Sequence, residues 1–283
     1  MCRLFGLSAS PRRVHASFWL LEAPDSLVEQ SRRNPDGTGL SFFGPDGQPV
    51  LDKEPVAAFQ DAAFAREARH VSSITFISHI RFATTGERSV ENTHPYAMDG
   101  RIFAHNGVLG DLERLEAELG DDLSLVQGQT DSERYFALVT REVRTNGGDV
   151  GAGLAAAAGW IAANVPVYSI NCLLATEHEL WAFRYPETHD LFVLEREAGG
   201  HRDEPLHHES DALRVRSDHL AEHPSVVLAS EPLDDHPDWR LLESGELTHV
   251  GADLRVTSRI AVDHPPAHVL QLHHTTGQEG STE

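Results

Sequence analysis

The stretch MCRLFGLS, residues 1–8, opens the chain and determines how the rest is interpreted. From Leu4 to Ser8 apolar and small residues alternate, which predicts a short buried strand. Cys2 stands directly before that strand, behind a methionine of the kind that aminopeptidases remove when the next side chain is small. Cys2 would then carry a thiol and an α-amine, whose unperturbed pKa of about 7.7 to 8.0 lets it accept the thiol proton. On position alone, Cys2 is more often a small buried thiol than a nucleophile, so the choice between these two roles depends on the other motifs of the chain.

Composition limits the class of protein. The 283 residues are 40% hydrophobic, enough for a sizeable core, and carry a formal net charge of −21. This charge would repel phosphate, so we expect neither nucleic acid nor a membrane as partner. No signal peptide or membrane-spanning segment is evident. Two cysteines, Cys2 and Cys172, are too few for a secreted disulfide scaffold, and we expect a cytoplasmic protein.

Hydrophobic periodicity predicts strands and helices that alternate along the chain. The predicted strands are Gly39 to Phe43, Ser73 to Phe82, Ile102 to His105, Tyr168 to Ala175, Leu180 to Tyr185, Asp190 to Leu194, Val226 to Ala229 and Leu254 to Ile260. The predicted helices are Ser26 to Arg33, Leu112 to Leu119, Glu133 to Val143 after a cap at Asp131, and Leu154 to Ala163. This pattern predicts helices layered on antiparallel sheets. Residues 199–223 are expected to form a polar surface loop, and those after Leu272 a solvated tail.

Six short motifs occur in a characteristic order over the first half of the chain. They are MCRLFG at residues 1–6, RRNPDGTG at 32–39, HIRFATTG at 79–86, NTHP at 92–95, HNG at 105–107 and QTDSE at 129–133. Each motif alone is weak, but together they resemble the class II glutamine amidotransferases. A weaker resemblance, VVLASEPLDD at 226–235 followed by Trp239 and Gly245, is to small standalone members of the YafJ type and to ergothioneine-pathway γ-glutamyl hydrolases.

The resemblance implies a catalytic group formed by Cys2, Asn106 and Gly107. Cys2 matches the nucleophile, which attacks the side-chain amide of glutamine, releases ammonia and forms a γ-glutamyl thioester that water hydrolyses. Asn106 and Gly107 match an oxyanion hole, in which a side-chain amide N–H and a backbone N–H face the developing negative oxygen. In isolation, Asn106-Gly107 is an equally good hairpin turn between strands, and the two interpretations are compatible.

The resemblance also implies a pocket for an α-amino acid. Arg81 matches the group that binds the α-carboxylate, because a guanidinium can bond both oxygens, and Asp131 matches the acid that receives the α-ammonium. Thr84 and His94 match positions that line the pocket. The alternatives are a surface ion pair for Arg81 and a plain helix N-cap for Asp131.

The resemblance assigns no definite catalytic or binding role to five further residues. Phe82 and Thr85 stand where the glucosamine-6-phosphate synthase pattern has tryptophan and histidine, so the loop over the site would close differently. Ser230 and Glu231 could reach the site, although a strand followed by a turn is the simpler account. Cys172 lies in an apolar run and is expected to be a small core residue.

The fold implied by the resemblance is α+β, a four-layer αββα sandwich of the N-terminal nucleophile hydrolase type. We expect one amidotransferase domain over residues 2–272 and a disordered tail at 273–283. No room is left for a synthetase domain in the same chain. Ammonia would therefore pass to a separate synthetase, or the chain would be a complete hydrolase of γ-glutamyl amides.

Two other functions stay open. One is an N-terminal-cysteine acylase of the bile-salt or penicillin type, which would not need Arg81 and Asp131 as an amino-acid clamp. The other is a non-catalytic, glutamine-binding regulatory protein. We expect no cofactor and no metal, because none of the 18 histidines has convincing ligand spacing on a predicted element. The histidines that most suggest a metal lie in the polar loop and the tail, namely His207, His208, His219, His223, His273 and His274.

Overall fold

The computed structural model describes residues 2–82, 87–198 and 223–271. Its strands are β1 (Arg3–Ser8), β2 (Gly37–Phe43), β3 (Pro49–Glu54), β4 (Thr75–Arg81), β5 (Tyr96–Met98), β6 (Arg101–Leu109), β7 (Pro166–Ala175), β8 (Leu180–Phe183), β9 (Phe192–Arg196), β10 (Ser225–Ala229), β11 (Arg240–Leu241), β12 (Glu246–Val250), β13 (Val256–Ile260) and β14 (His268–Val269). Its α-helices are α1 (Leu27–Gln30), α2 (Ala62–His70), α3 (Leu112–Leu119), α4 (Asp131–Thr145) and α5 (Val150–Asn164). A π-helical turn (Phe18–Glu22) and two 3-10 turns (Ala58–Gln60 and Gly120–Leu125) complete the elements of the described part.

The strands form two sheets. The first has the order β11-β9-β10-β1-β4-β2-β3, and all of its neighbouring strands are antiparallel. The second has the order β13-β12-β8-β7-β6-β5, with β14 added in parallel to β7. The chain's first strand is therefore central, since Phe5 of β1 is paired with Ser78 of β4 on one side and with Ala229 of β10 on the other.

Three apolar layers hold these sheets and helices together. Between the sheets, β1, β4, β6, β7, β8 and β10 contribute a core that includes Leu4 and Leu173. On the outer face of the first sheet, Phe76 packs with the π-helical turn, α1 and α2. On the outer face of the second sheet, Phe103 stacks on Phe136 of α4 with ring centroids 4.7 Å apart. The predicted α+β, four-layer αββα sandwich is thus confirmed.

Helices α4 and α5 pack closely because glycine stands at their contact. A Cβ on Gly153 of α5 would lie 2.6 Å from the backbone nitrogen of Val143 in α4, so any larger residue would push the helices apart. The start of α4 differs from the prediction by one residue. The N-cap is Thr130, whose hydroxyl accepts from the Glu133 N–H at 3.2 Å, and Asp131 is the first helical residue. The prediction of a cap at Asp131 was wrong.

Other predicted elements agree with the structure to varying degrees. The strands predicted around β4, β7 and β10 start and end within about two residues of their observed limits. The helix predicted over Ser26 to Arg33 is shorter, because α1 contains only Leu27–Gln30 after its Ser26 cap. Strands β3 and β12 and helix α2 had no predicted counterpart. The predicted loop at 199–223 lies outside the described residues except for His223, and the tail at 273–283 lies wholly outside them.

Within residues 2–82, 87–198 and 223–271, no helix is long and apolar enough to cross a bilayer.

Candidate active site

The thiol of Cys2 is held against the end of β4. Cys2 is half-buried and directly precedes β1. Its Sγ lies 3.2 Å from the donating backbone N–H of Phe82 and 3.4 Å from the Phe82 carbonyl oxygen. Burial raises the pKa of the Cys2 thiol above its ordinary value, while the Phe82 backbone and the Arg81 charge partly oppose this. Near neutral pH the thiol is therefore protonated, and attack on a carbonyl carbon needs a base.

Three of the predicted site residues face the layer between the sheets. Side chains alternate along a strand, so residues separated by an even number project to the same side. Cys2, Arg81 and Asn106 are in phase with residues of the inter-sheet core. The core residues that set this phase in β1, β4 and β6 are Leu4, Ile77 and Ala104. The two sheets thus place a thiol, a guanidinium and a carboxamide in one layer.

Asn106 and Gly107 lie inside a strand, and the alternative of a hairpin turn was wrong. In β6 they are paired with Asn171 and Ile170 of β7, and β6 continues to Leu109. The Asn106 side chain is buried, at 3% exposure. A Cβ at position 107 would lie 1.8 Å from the Ser169 carbonyl oxygen, so only glycine allows β6 to approach β7 here.

Arg81 and Asp131 are both buried, at 3% and 2% exposure, which excludes a surface ion pair for Arg81. Arg81 ends β4, and its Nη1 donates to the Glu87 carbonyl oxygen at 3.3 Å. Asp131 begins α4, and its Oδ2 accepts at 2.8 Å from the N–H of Leu109, the last residue of the strand that carries Asn106. Both charges act on the Cys2 thiol, Arg81 lowering and Asp131 raising its pKa.

His94 packs in a stack of aromatic rings behind Arg81. Its ring lies 4.2 Å from that of His79 in β4 and 4.7 Å from that of Tyr96. The ring nitrogens of His79 and His94 have no hydrogen-bond partner among the described residues. Burial lowers the pKa of His79 to about 3 and that of His94 well below its ordinary value, so both are neutral.

The backbone of His94 packs closely on β2. A Cβ on Gly39 would lie 2.0 Å from the His94 carbonyl oxygen, so Gly39 makes room for this segment. Thr84, predicted to line the pocket, lies outside the described residues.

A second polar group on the inter-sheet face was not predicted. Asn171, the register partner of Asn106, donates from Nδ2 to the His189 carbonyl oxygen at 3.1 Å, and Arg184 donates from Nε to the same oxygen at 2.9 Å. The His189 ring is buried beside Tyr168 and faces the Asn106 backbone, and burial lowers its pKa to about 4. A detectable signal existed in the sequence, because Asn171 and Arg184 stand next to apolar runs that predict strands.

Ser230 and Glu231 follow β10 directly. Ser230 bonds to Leu4 and Glu231 to Arg3, the two residues that follow Cys2. They do form the turn after a strand, as the simpler account predicted, and they also hold the start of the nucleophile's strand. No cluster of three or more histidine, cysteine, aspartate or glutamate side chains suited to a metal occurs in the described ranges.

The chain is similar in sequence to several known proteins. Residues 1–269 match the family model of class II glutamine amidotransferases. An uncharacterized protein of Methanocaldococcus jannaschii is 30% identical over 260 residues, which cover 87% of this chain and 68% of that protein. YafJ of Escherichia coli is 33% identical over 161 residues, which cover 52% of this chain and 59% of YafJ.

Among solved structures, the glutamine phosphoribosylpyrophosphate amidotransferase of B. subtilis matches with a TM-score of 0.64 at 17% identity, over 93% of this chain and 50% of that one. This likeness shows a shared fold. Since the family model spans nearly the whole sequence, the chain belongs to the class II glutamine amidotransferases.

Proposed function

We propose that this protein hydrolyses the side-chain amide of glutamine or of a γ-glutamyl compound, with Cys2 as the nucleophile. One observation carries the proposal: the Cys2 thiol, at the start of a central strand, shares the inter-sheet layer with Arg81 and Asn106. The charges of Arg81 and Asp131 both alter the pKa of this thiol. An amide carbon bound by its amino-acid end between those two charges would lie next to the thiol.

The chemistry proposed for Cys2 begins with removal of Met1, which exposes the α-amine. The amine takes the thiol proton, and the thiolate attacks the amide carbon. The carboxamide of Asn106 and the backbone N–H of Gly107 would stabilise the oxyanion, and the phase of Asn106 with the core residue Ala104, which directs its side chain to the inter-sheet layer, supports this role. The ammonium returns its proton to the leaving nitrogen, and ammonia or an amine departs. Water then attacks the γ-glutamyl thioester and releases glutamate.

Selectivity for a glutamyl group would come from two opposite charges. Arg81 would bind the α-carboxylate through two hydrogen bonds and Asp131 would bind the α-ammonium. Thr84 and His94 would line the pocket. Burial of Arg81 and Asp131 favours this function over an N-terminal-cysteine acylase, because burying unneeded charges is costly.

The fate of the nitrogen defines two versions of the proposal. In one, ammonia passes to a separate synthetase, and turnover without that partner is slow. In the other, which we favour, water always resolves the acyl-enzyme and the natural substrate is a γ-glutamyl amide of a small metabolite. A cytoplasmic location is part of the proposal, because a free nucleophilic thiol persists best in a reducing compartment.

The test is the intact mass of the protein after incubation with 6-diazo-5-oxo-L-norleucine, a glutamine-like electrophile. We expect one adduct on protein that has lost Met1, none on Cys2→Ala, and one on Cys172→Ala, the matched control. An unmodified, correctly processed wild-type protein would overturn glutamyl recognition. Release of glutamate from glutamine and from γ-glutamyl amides then separates the two versions.

A further inference from the structure

Two backbone-directed hydrogen bonds fix the start of β1. Ladder pairing of β1 with β10 ends at Phe5 and Ala229. Ser230 then continues it, because its N–H donates to the Leu4 carbonyl oxygen at 3.1 Å and its hydroxyl accepts from the Leu4 N–H at 2.9 Å. Leu4 is therefore held through both of its backbone groups, two residues after the nucleophile.

An ion-pair chain continues from that point to Cys2 itself. Glu231 Oε1 accepts from Arg3 Nε at 2.7 Å and from Arg33 Nη2 at 3.2 Å. Arg33 is anchored in turn on Asp25 Oδ1 at 3.0 Å. Arg3 Nη1 donates to the Cys2 carbonyl oxygen at 3.3 Å. The carboxylate of Glu231 thus orients a guanidinium that binds the backbone of the nucleophile.

Stability alone is a weak explanation of this arrangement. The side chains of Arg3 and Glu231 are 15% and 31% exposed, and partly solvated ion pairs contribute little to the stability of a fold. Geometry at a reacting centre has a larger effect, because a misplacement of about 1 Å can reduce the rate of reaction about a hundredfold.

We propose that Glu231, together with Ser230, is a positioning residue that holds Cys2 in its attacking orientation through Arg3 and Leu4. The inference rests on the proposed function. Neither residue touches the reacting atoms, and both act on the main chain that carries them.

A second ion pair of the same kind provides the control. Arg141 and Glu118 are joined at 2.6 Å, their side chains are 22% and 32% exposed, and Arg141 also donates to the Glu118 carbonyl oxygen. Arg141 lies in α4 ten residues after Asp131, about 15 Å along the helix axis. Glu118→Gln therefore removes an equivalent charge far from the thiol.

The experiment compares Glu231→Gln, Ser230→Ala and Glu118→Gln with the wild type, after intact mass has established loss of Met1 in each. The first readout is the second-order rate of Cys2 alkylation by iodoacetamide from pH 6 to 9, which requires no glutamyl recognition. The second is kcat and KM for glutamate release, and the third is the melting temperature. Cys172 is fully buried and adds no background in the folded protein.

We expect Glu231→Gln to lower the alkylation rate and kcat about tenfold, with KM and melting temperature close to those of Glu118→Gln. The double variant Arg3→Gln/Glu231→Gln should be no slower than the single one, since both changes break one chain of contacts. An unchanged rate in Glu231→Gln, or an equal loss in Glu118→Gln, would overturn the inference. If the wild type fails to release glutamate while alkylation still depends on Glu231, the proposed function fails and the positioning role stands.

Discussion

The two cysteines lie in different layers of the sandwich and have opposite surroundings. Cys172 is fully buried in β7, on the face that packs against α4, where its Sγ lies 3.6 Å from the Tyr135 hydroxyl. Burial raises its pKa to about 12. Cys2 is half-buried at the edge of the inter-sheet layer, next to the Phe82 N–H and within the influence of Arg81.

Burial raises the thiol pKa at both positions, so low acidity does not separate a reactive from an inert cysteine here. The difference lies in the neighbours. Cys2 has a backbone donor, a buried guanidinium and, once Met1 is removed, its own amine. Cys172 also has a backbone partner, Phe183, but its other polar neighbour is the Tyr135 hydroxyl and not a charged group. We therefore propose that the proximity of Cys2 to its own amine and to the Arg81 charge, and not its acidity, makes it the nucleophile.

The largest expected effect comes from removing each thiol in turn. Cys2→Ala should reduce glutamate release at least about 1000-fold, because no other group can form the thioester. Cys172→Ala should retain wild-type turnover. A coupled glutamate assay on both variants checks the contrast, and measurable turnover by Cys2→Ala would contradict it.

The second largest effect should distinguish the two asparagines that face each other across β6 and β7. Asn106→Ala should lower kcat by about 100- to 1000-fold with little change in melting temperature, because an oxyanion donor acts in the transition state. Asn171→Ala should instead lower the melting temperature, because its amide donates to the His189 carbonyl and its oxygen accepts from the Tyr185 N–H. Equal loss of kcat without unfolding in both variants would argue against an oxyanion role for Asn106.

Acid should lower the free energy of unfolding through the buried His79. The unfolded chain protonates His79 below about pH 6.5, whereas burial keeps the pKa of His79 at about 3 in the folded protein. The unfolded state therefore binds more protons, and the free energy of unfolding falls as pH drops from about 6.5 towards 3. At pH 5 this single histidine should cost about 2 kcal/mol.

Urea unfolding at pH 7.5 and pH 5.0 measures this effect, with His79→Gln as the comparison. The variant should show a smaller difference between the two pH values than the wild type. If the free energy of unfolding changed equally with pH in both proteins, His79 would not be neutral in the folded state at pH 5.

The smallest effect is expected for the stability of Cys172→Ala. Removal of one buried sulfur leaves a small cavity beside Tyr135, which should cost about 1 kcal/mol. For a protein of this size the melting temperature should fall by about 2 to 4 °C. Differential scanning fluorimetry would show it, and an unchanged melting temperature would mean that the cavity closes by repacking.

Local sequence patterns predicted two kinds of element: those with one apolar and one polar face, and those that are mostly apolar. Strands β4 and β7 were located closely because they are buried runs of β-branched and aromatic residues. The cap of α4 was misplaced by one residue because Thr130 and Asp131 are both favoured capping types, and local chemistry does not choose between them. Strand β3 was missed because it is only half-buried and contains charged residues.

The candidate site was predicted where its residues form motifs and missed where it depends on long-range contacts. Cys2, Asn106 and Arg81 stand in recognisable strings. His189 does not, since its place beside Asn106 follows from hydrogen bonds made by Asn171 and Arg184. The contact between Arg3 and Glu231 joins residues 228 positions apart, and no periodicity encodes such a pairing.

The central place of β1 also has a consequence for the order of events during synthesis. The amino terminus leaves the ribosome first, but its strand gains its second neighbour only when residues 225–229 follow. In the proposed mechanism Met1 can be removed as soon as the amino terminus emerges, long before β10 is available to pair with β1. Maturation and assembly of the site are therefore separated in time by most of the length of the chain.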